Sequence, residues 1–229
     1  MLIGIPTYNE ADNIEKLVAE TKGLYPKAFI LVVDSSDNDR TVKAALAGGA
    51  TLVVSLKAGT EYRFKMYHIL GEALHRHLFP VVIMHAGGAH TPHDIFAVLN
   101  GLTKVDVAIG SRFVEGGVGW QKSWWRRLLT FVARRSMGIL VGDNHVDYSG
   151  LKGFTKVGAE QSLWLLDQVT GDQCFVCNPQ WLYLICKAGL LLGFVPFHHT
   201  GSATSLGRLD VAKSIIHFVY FLVRELLWG

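Results

Sequence analysis

Charged residues are scarce in this chain. Asp, Glu, Lys and Arg make up 18% of its 229 residues, whereas 50% of them are hydrophobic. The mean hydropathy of +0.27 is high for a soluble protein. Yet no apolar stretch runs uninterrupted for the roughly 20 residues that a helix needs to cross a bilayer. The composition therefore predicts a protein that lies on a membrane surface rather than one that spans the membrane.

Cysteine is rare as well. The chain has three cysteines, Cys174, Cys177 and Cys186, and an odd number argues against the disulfide framework of a secreted protein. Cys174 and Cys177 form a single CxxC, for which a structural role is favoured over a metal or redox site because no second pair accompanies it. No signal peptide, internal repeat or low-complexity linker is apparent. A net charge of only +3 does not suggest a nucleic-acid partner. We expect a peripheral protein at the cytoplasmic face of a membrane.

Short apolar runs alternate with helical patterns in the first half of the chain. Strands are predicted at 2–5, 29–33, 51–54, 81–84 and 105–109. Helices are predicted at 13–21, 41–47, 62–77 and from residue 94 onward. Each strand ends in a polar or glycine-rich turn, which is typical of a doubly wound α/β protein. We expect one domain, residues 1–210, with a mostly parallel, Rossmann-like sheet flanked by helices.

The turn after the central strand, His85-Ala86-Gly87-Gly88-Ala89-His90, is expected to decide the chemistry, because ligands of open α/β sheets bind where strands end. The turn contains no carboxylate. Mg²⁺ and Mn²⁺ prefer oxygen ligands, commonly carboxylates, so this turn does not predict a site for either ion. One alternative stays open, a zinc site. Its ligands would be His85, His90 and His93 together with either His198 or His199.

The second half carries two segments that combine apolar residues with cations. Residues 120–135 include Trp124, Trp125, Arg126 and Arg127, and tryptophan beside arginine suits the headgroup layer of a membrane. A core helix with a solvated basic face is the alternative. Residues 211–229 form a second amphipathic segment, whose charges would be costly in hydrocarbon. We expect this segment to lie on the membrane or to pack against an integral-membrane partner.

Several ordered motifs resemble the family-two glycosyltransferases with the GT-A fold. The opening Ile5-Pro6-Thr7-Tyr8-Asn9-Glu10 is similar to the start of that family. Later residues resemble one branch of that family, the dolichol-phosphate mannosyltransferases and polyprenyl-phosphate glycosyltransferases. They are Gly110–Phe113, Trp125–Arg127, Asp147 with Ser149-Gly150 and Phe154, and Ala188-Gly189 with Val195-Pro196. The resemblance covers residues 1–210. It implies transfer of a hexose, with inversion, from a GDP- or UDP-hexose to a polyprenyl (dolichyl-type) phosphate.

The resemblance and the chemistry of the residues together predict three groups of site residues. The nucleotide pocket would be lined by Pro6, Tyr8, Glu10, Asp34, Ser35, Ala86 and Gly87. The lipid phosphate and membrane would meet Ser111, Trp124, Trp125, Arg126, Arg127 and Ser149. Cations that could stabilise the departing nucleoside diphosphate are Arg112, Lys152, Arg208 and a protonated His85 or His90. Asp34 can accept a hydrogen bond from a base and Tyr8 can stack on it, although a turn or helix cap is the alternative for Asp34.

Three positions depart from the family pattern. This chain has Asp34-Ser35 where the family has two aspartates, and His85-Ala86-Gly87 where it has Asp-x-Asp. It has Ser202 and then Ser205–Arg208 where the family has an arginine and then Gly-x-Ser-Lys. All three lie at the expected diphosphate and metal contacts. We therefore assign no metal ligand, and we expect the usual divalent-metal site to be lost.

Two functions remain. One is a transferase that glycosylates a polyprenyl phosphate without the usual metal; a lipid phosphate is already an anion and needs no general base. The other is a catalytically degenerate homologue that acts as a regulatory or scaffolding subunit at the membrane. Because Arg112 follows a strand end rather than lying in the core, Arg112→Ala is expected to abolish transfer and leave folding intact.

Overall fold

The computed structural model describes residues 1–118, 124–170, 174–199 and 211–228. The strands are β1 Leu2–Thr7, β2 Phe29–Asp34, β3 Leu52–Ser55, β4 Val81–Ile83, β5 Val107–Ser111, β6 Lys152–Phe154 and β7 Leu192–Pro196. The helices are α1 Ala11–Leu24, α2 Arg40–Ala47, α3 Tyr62–His75, α4 Asp94–Gly101, α5 Trp124–Val141, α6 Lys156–Leu166, α7 Cys174–Lys187 and α8 Val211–Trp228.

The strands form one seven-stranded sheet in the order β3-β2-β1-β4-β6-β5-β7. All neighbours are parallel except β6, which is antiparallel to both β4 and β5. Lys152 is in register with Ile83 on one side and Ile109 on the other. Because β6 runs in the opposite direction, its amino end lies at the same edge of the sheet as the carboxyl ends of the other strands. The mostly parallel α/β sheet predicted from the sequence is confirmed.

Strand β6 is one of the elements that the sequence does not predict, together with helices α6 and α7. It is three residues long and begins with a lysine, so it shows neither an apolar run nor a clear alternation. Its lysine is nevertheless buried. The burial of a charged residue in a central strand depends on partners that come from elsewhere in the fold.

Two apolar layers cover the sheet, one on each face. Along β4, Ile83 faces the layer that includes Met66 and Ile69 of α3, whereas the flanking Val82 and Met84 face the other layer. This alternation follows from the two-residue period of a strand. Because the alternation continues past Met84, His85 lies on the same face of the sheet as α3.

The two predicted amphipathic segments are helices α5 and α8. In α8, Phe218 and Phe221 are buried in the apolar layer, with Phe218 edge-on to Tyr148 at a centroid distance of 6.2 Å. Within the described ranges, no helix is both long enough and apolar enough to cross a membrane. The predicted boundary at residue 210 lies in 200–210, outside the described residues, and stays a prediction.

Candidate functional site

Five strands deliver polar residues to one edge of the sheet, which we call the site edge. It consists of the carboxyl ends of β1, β2, β4 and β5 and the amino end of β6. These strand ends bring together most of the residues predicted for the site, although they are far apart in the sequence. They include Tyr8, Asp34, His85, Arg112 and Lys152.

Asp34 is buried and anchors the ends of β1 and β2. Its carboxylate accepts hydrogen bonds from Thr7 Oγ1 at 2.8 Å and from Ser36 Oγ at 2.6 Å and Ser36 N at 3.1 Å. The bond to the backbone two residues on is that of an Asx turn. The turn alternative for Asp34 is therefore present, and its contact with a nucleotide base stays a prediction.

The remaining residues predicted for the nucleotide pocket have identified places. Pro6 is buried in β1, and Ala86 is buried in the turn after β4, with Gly87 beside it. Ser35 donates its hydroxyl to Thr60 O at 3.3 Å, and Glu10 accepts a bond from Asn13 at 3.1 Å. Their contact with a nucleotide stays a prediction.

Asp37 is a site-edge residue that the sequence analysis does not single out. It accepts a hydrogen bond from Tyr8 Oη at 3.1 Å and another from Asn9 Nδ2 at 2.7 Å. It therefore holds the tyrosine predicted to stack on the base. Its place in the polar run after β2 is the sequence signal that could have identified it.

His85 stands at the centre of the site edge. Its Nε2 lies 3.1 Å from Tyr62 Oη, and its ring lies so close to Gly150 that a Cβ there would come within 2.6 Å of it. Burial, followed by the positive charges of Lys152 and Lys65, lowers the pKa of His85 to about 3. The imidazole is neutral at pH 7, so the prediction that a protonated His85 supplies positive charge is wrong.

Two lysines of the site edge are buried, Lys65 of α3 and Lys152 of β6. Lys65 donates a hydrogen bond from Nζ to Thr7 O at 2.7 Å. Lys152 donates to Ser149 O at 2.5 Å and to Asn178 Oδ1 at 2.9 Å. Lys152 is predicted at the site from the sequence and Lys65 is not, because helical spacing alone does not reveal which lysine reaches the end of a distant strand.

Arg112 forms a two-pronged ion pair with Asp147. Its Nε lies 2.8 Å from Oδ2, its Nη2 lies 2.7 Å from Oδ1, and its backbone N donates to Oδ2 at 3.0 Å. Burial alone would lower the pKa of Arg112, but the hydrogen bonds and charge of Asp147 hold it above its ordinary value. Arg112 is therefore a fixed cation, with a carboxylate that offsets part of its charge.

Both serines that are predicted to contact the lipid phosphate form hydrogen bonds with backbone atoms. Ser111 donates its hydroxyl to His145 O at 2.6 Å, and Ser149 Oγ accepts from Leu151 N at 3.1 Å. Both are buried. Contact of either serine with a lipid phosphate stays a prediction.

The zinc alternative is wrong. His93 points toward Glu20 of α1, with Nε2 3.9 Å from Oε1, rather than toward His85. His90 is buried against Phe197, at a centroid distance of 5.0 Å, and its Nδ1 makes no hydrogen bond. Burial first, and then nearby positive groups, lower the pKa of His90 well below its ordinary value, so it supplies no positive charge either. Across the part of the chain that the structure describes, no three His, Cys, Asp or Glu residues could hold a metal ion together.

Two of the residues predicted to meet the membrane are exposed in the structure. Trp124 is 75% exposed at the start of α5, and Arg127 is exposed one turn later. The side chains of Trp125 and Arg126, and all of Arg208, lie outside the described residues. Their predicted roles stay predictions.

The ionisation of His85 predicts how stability changes with pH. An unfolded histidine binds a proton below its ordinary pKa of 6.5, whereas folded His85 remains neutral down to about pH 3. The unfolded state therefore binds more protons in this window, and stability falls as the pH drops from 6.5 toward 3. At about 1.36 kcal/mol per pH unit, the loss at pH 5 approaches about 2 kcal/mol.

Urea unfolding at pH 7 and pH 5 would measure this effect. We expect His85→Gln, which keeps an acceptor for Tyr62, to lose much of the difference between the two pH values. An unchanged difference in the variant would show that other groups cause it.

Comparison with known proteins gives matches in sequence along the chain. The model of Glycosyl transferase family 2 matches residues 2–155. A polyprenol monophosphomannose synthase of Mycolicibacterium smegmatis is 35% identical over 239 residues, which cover 100% of this chain and 86% of that protein. An undecaprenyl-phosphate mannosyltransferase of Micrococcus luteus is 30% identical over 149 residues, covering 62% of this chain and 60% of that protein.

Solved structures resemble the fold. Mannosyl-3-phosphoglycerate synthase from Rubrobacter xylanophilus superposes with a TM-score of 0.65 at 17% identity, over 99% of this chain and 73% of that one. Glucosyl-3-phosphoglycerate synthase from Mycobacterium tuberculosis, solved with Mn²⁺, UDP and phosphoglyceric acid, gives 0.64 at 14% identity, over 98% and 77%. At these identities the likeness concerns the fold alone, and it confirms the predicted GT-A-type architecture.

Proposed function

Because the chain belongs to glycosyl transferase family 2, we propose that it transfers a hexose from a nucleotide sugar to a polyprenyl phosphate. The observation that carries this proposal is 35% identity, along the whole chain, to a polyprenol monophosphomannose synthase. Mannose is the hexose that we propose, because the names of both relatives specify it. The base of the nucleotide is left open between guanine and uracil.

The chemistry of the site edge suits this reaction. The acceptor phosphate attacks the anomeric carbon as an anion, so the protein has to supply positive charge rather than a general base. Arg112 and Lys152 are both fixed at the site edge by hydrogen bonds. We assign them to the charged groups of the two substrates.

We further propose that transfer does not use a divalent ion bound by an Asp-x-Asp motif. The residues at that position, His85, Ala86 and Gly87, offer a neutral imidazole and no carboxylate. Neutral imidazole is a poor ligand for Mg²⁺, and a glycine side chain offers none. The residues present do not fit the ion, so we route no step of the reaction through it.

Helices α5 and α8 support a position on the membrane surface. In α5, Trp124, Leu128 and Phe131 lie at helical spacing and are all at least 53% exposed. In α8, Ile216 and Tyr220 are 65% and 68% exposed. The two helices contact each other, and each presents exposed apolar side chains, those of α5 beside the exposed Arg127. Such a surface suits the headgroup boundary, where a lipid-linked acceptor lies.

Vesicle binding tests the role of this surface. We expect Leu128→Ser with Phe131→Ser to weaken binding at every salt concentration, because the lost contacts are apolar. Arg126→Ala with Arg127→Ala should weaken binding to anionic vesicles roughly 30-fold at low salt, at about 1 kcal/mol per cation, and less at high salt.

Phe96→Ser is the matched control for vesicle binding. Phe96 is 73% exposed but lies on α4, which covers the opposite face of the sheet. If Phe96→Ser weakens binding as much as the α5 variants do, the membrane surface is assigned to the wrong face.

A transfer assay tests the function itself. The purified chain is incubated with radiolabelled GDP-mannose or UDP-hexose and with vesicles containing a polyprenyl phosphate, in the presence of EDTA. We expect label in the lipid fraction that depends on the lipid phosphate. Transfer that requires Mn²⁺ or Mg²⁺ would overturn metal independence and leave the transferase assignment standing.

Nucleotide binding without transfer would instead favour the alternative, a degenerate regulatory or scaffolding subunit at the membrane. The comparisons give that alternative no support, since both relatives are named for synthesis or transfer. An integral-membrane partner remains a prediction, and co-purification of one from membranes would test it.

A further inference from the structure

We propose that Lys65 and Lys152, the lysine pair, bind the diphosphate of the donor nucleotide and supply the positive charge that a divalent ion would otherwise provide. The inference rests on the proposed function and assigns a role to Lys65, which the family resemblance does not mark. It is carried by the burial and position of the two lysines around His85.

Lys65 reaches the site edge from the first turn of α3. It lies three residues after Tyr62, so both side chains are on one face of the helix. Lys65 is 6% exposed, its Nζ lies 2.7 Å from the carbonyl oxygen that ends β1, and it lies 5.7 Å above the ring of Tyr8. An ammonium group is thus placed beside the tyrosine predicted to stack on the base, where the diphosphate of a nucleotide would follow.

Lys152 comes to the site edge at the start of β6, the strand beside β4. Its strand is in register with β4, and Lys152 lies opposite Ile83, two residues before His85. It is 2% exposed and is held by Ser149 O and Asn178 Oδ1. Lysine is rarely this deeply buried, because desolvation of its charge is costly. Two such lysines at one edge of the sheet indicate that their positive charge has a functional role.

His85 contacts both of the segments that carry the two lysines. It contacts Tyr62 on the side of Lys65 and Gly150 on the side of Lys152. The charges of both lysines reach it, since both contribute to the lowered pKa of its imidazole. An aspartate at position 85 would pair with these ammonium groups and cancel part of their charge, whereas a neutral imidazole does not. The absence of an acidic residue at position 85 is therefore consistent with a role for the lysine pair in binding an anion.

The reaction accounts for the use of this charge. An oxygen of the lipid phosphate forms a bond to the anomeric carbon, and the bond from that carbon to the diphosphate oxygen breaks. The electron pair leaves with the nucleoside diphosphate, which gains one negative charge, and no proton is transferred. Two fixed ammonium groups stabilise this charge as it develops.

Binding in EDTA tests the lysine pair directly. Calorimetry of the full chain with GDP and UDP should show binding without metal, and Lys65→Met should weaken it at least about 10-fold, as loss of one charge-assisted contact does. Lys65→Arg should retain most of the affinity. Lys104→Met, which removes an exposed lysine after α4, is the matched control and should bind as the unchanged chain does.

A second measurement needs no variant. In EDTA, the unchanged chain should bind a nucleoside diphosphate at least about 10-fold more tightly than the corresponding nucleoside, because the lysine pair contacts only the phosphates. Equal affinities would overturn the proposal even if Lys65→Met failed to fold. Diphosphate binding that needs Mn²⁺ would also overturn it.

The outcomes separate this inference from the proposed function. If Lys65→Met binds diphosphate normally while the chain transfers hexose to lipid, the role proposed for the lysine pair is wrong and the transferase assignment stands. If diphosphate binding in EDTA depends on Lys65 but no lipid is glycosylated, the role proposed for the lysine pair is supported and the transferase assignment fails.

Discussion

Replacing Arg112 with alanine is expected to reduce transfer by at least about 100-fold, the usual effect of removing one charge-stabilising donor. It is also expected to lower the free energy of unfolding by about 3–5 kcal/mol. The reason for the second effect is Asp147, whose side chain is 1% exposed. Without the guanidinium, a buried carboxylate loses its ion pair and two of its hydrogen bonds. The buried ion pair argues against the expectation that Arg112→Ala leaves folding intact, because position after a strand end does not reveal a buried partner.

A second substitution separates the two effects. Asp147→Asn in the Arg112→Ala background removes the uncompensated charge and keeps an acceptor oxygen for one of the two backbone nitrogens, those of Arg112 and Tyr148, that donate to the carboxylate. We expect this double variant to recover much of the lost stability in chemical denaturation and none of the transfer. Recovery of transfer along with stability would show that Arg112 acts only through folding.

Replacing Gly150 with alanine is the second change with a large expected effect. A Cβ at this position would come within 2.6 Å of the His85 ring, a distance that real contacts do not reach. Either the ring leaves Tyr62 or the start of β6 shifts, and a shift would displace Lys152. We expect a loss of about 1–3 kcal/mol in stability, the usual cost of overpacking. A displacement of about 1 Å at the site could reduce transfer by about 100-fold.

A double-mutant cycle checks this mechanism. His85→Ala removes the ring that the new methyl group meets, so it should restore stability to Gly150→Ala even though it removes the bond to Tyr62. Gly71→Ala is the comparison for adding a methyl group without a close contact, because Gly71, like Gly150, has no positive φ and it has no neighbour within 4 Å of its Cβ position. If the effects of His85→Ala and Gly150→Ala simply add, the close contact is not the cause.

Much of the site was predictable from the sequence because its residues follow predicted strands. Tyr8, Asp34, His85 and Arg112 come directly after strands, and parallel strands bring their carboxyl ends to one edge. Lys152 reaches that edge for a different reason, since it begins an antiparallel strand that the sequence did not predict. Lys152 is predicted from the resemblance and from its charge alone.

The partners of these residues were less accessible to sequence reasoning. Lys65 contacts a residue 58 positions away and Arg112 contacts one 35 positions away. Tyr62 and Asn178 lie on helices whose periodicity marks which face is apolar but not what that face meets. Helical spacing also does not separate a lysine that reaches the site from one that faces solvent.

The sequence by itself determined the family, the α/β sheet and the absence of carboxylates in the turn at 85–90, because these depend on residue types and on local periodicity. The tertiary structure alone decided the ionisation of His85, the pairing of Arg112 with Asp147 and the approach of Lys65 to the end of β1. Burial and charge at a residue are set by neighbours from distant segments, and only the folded chain brings those neighbours within reach.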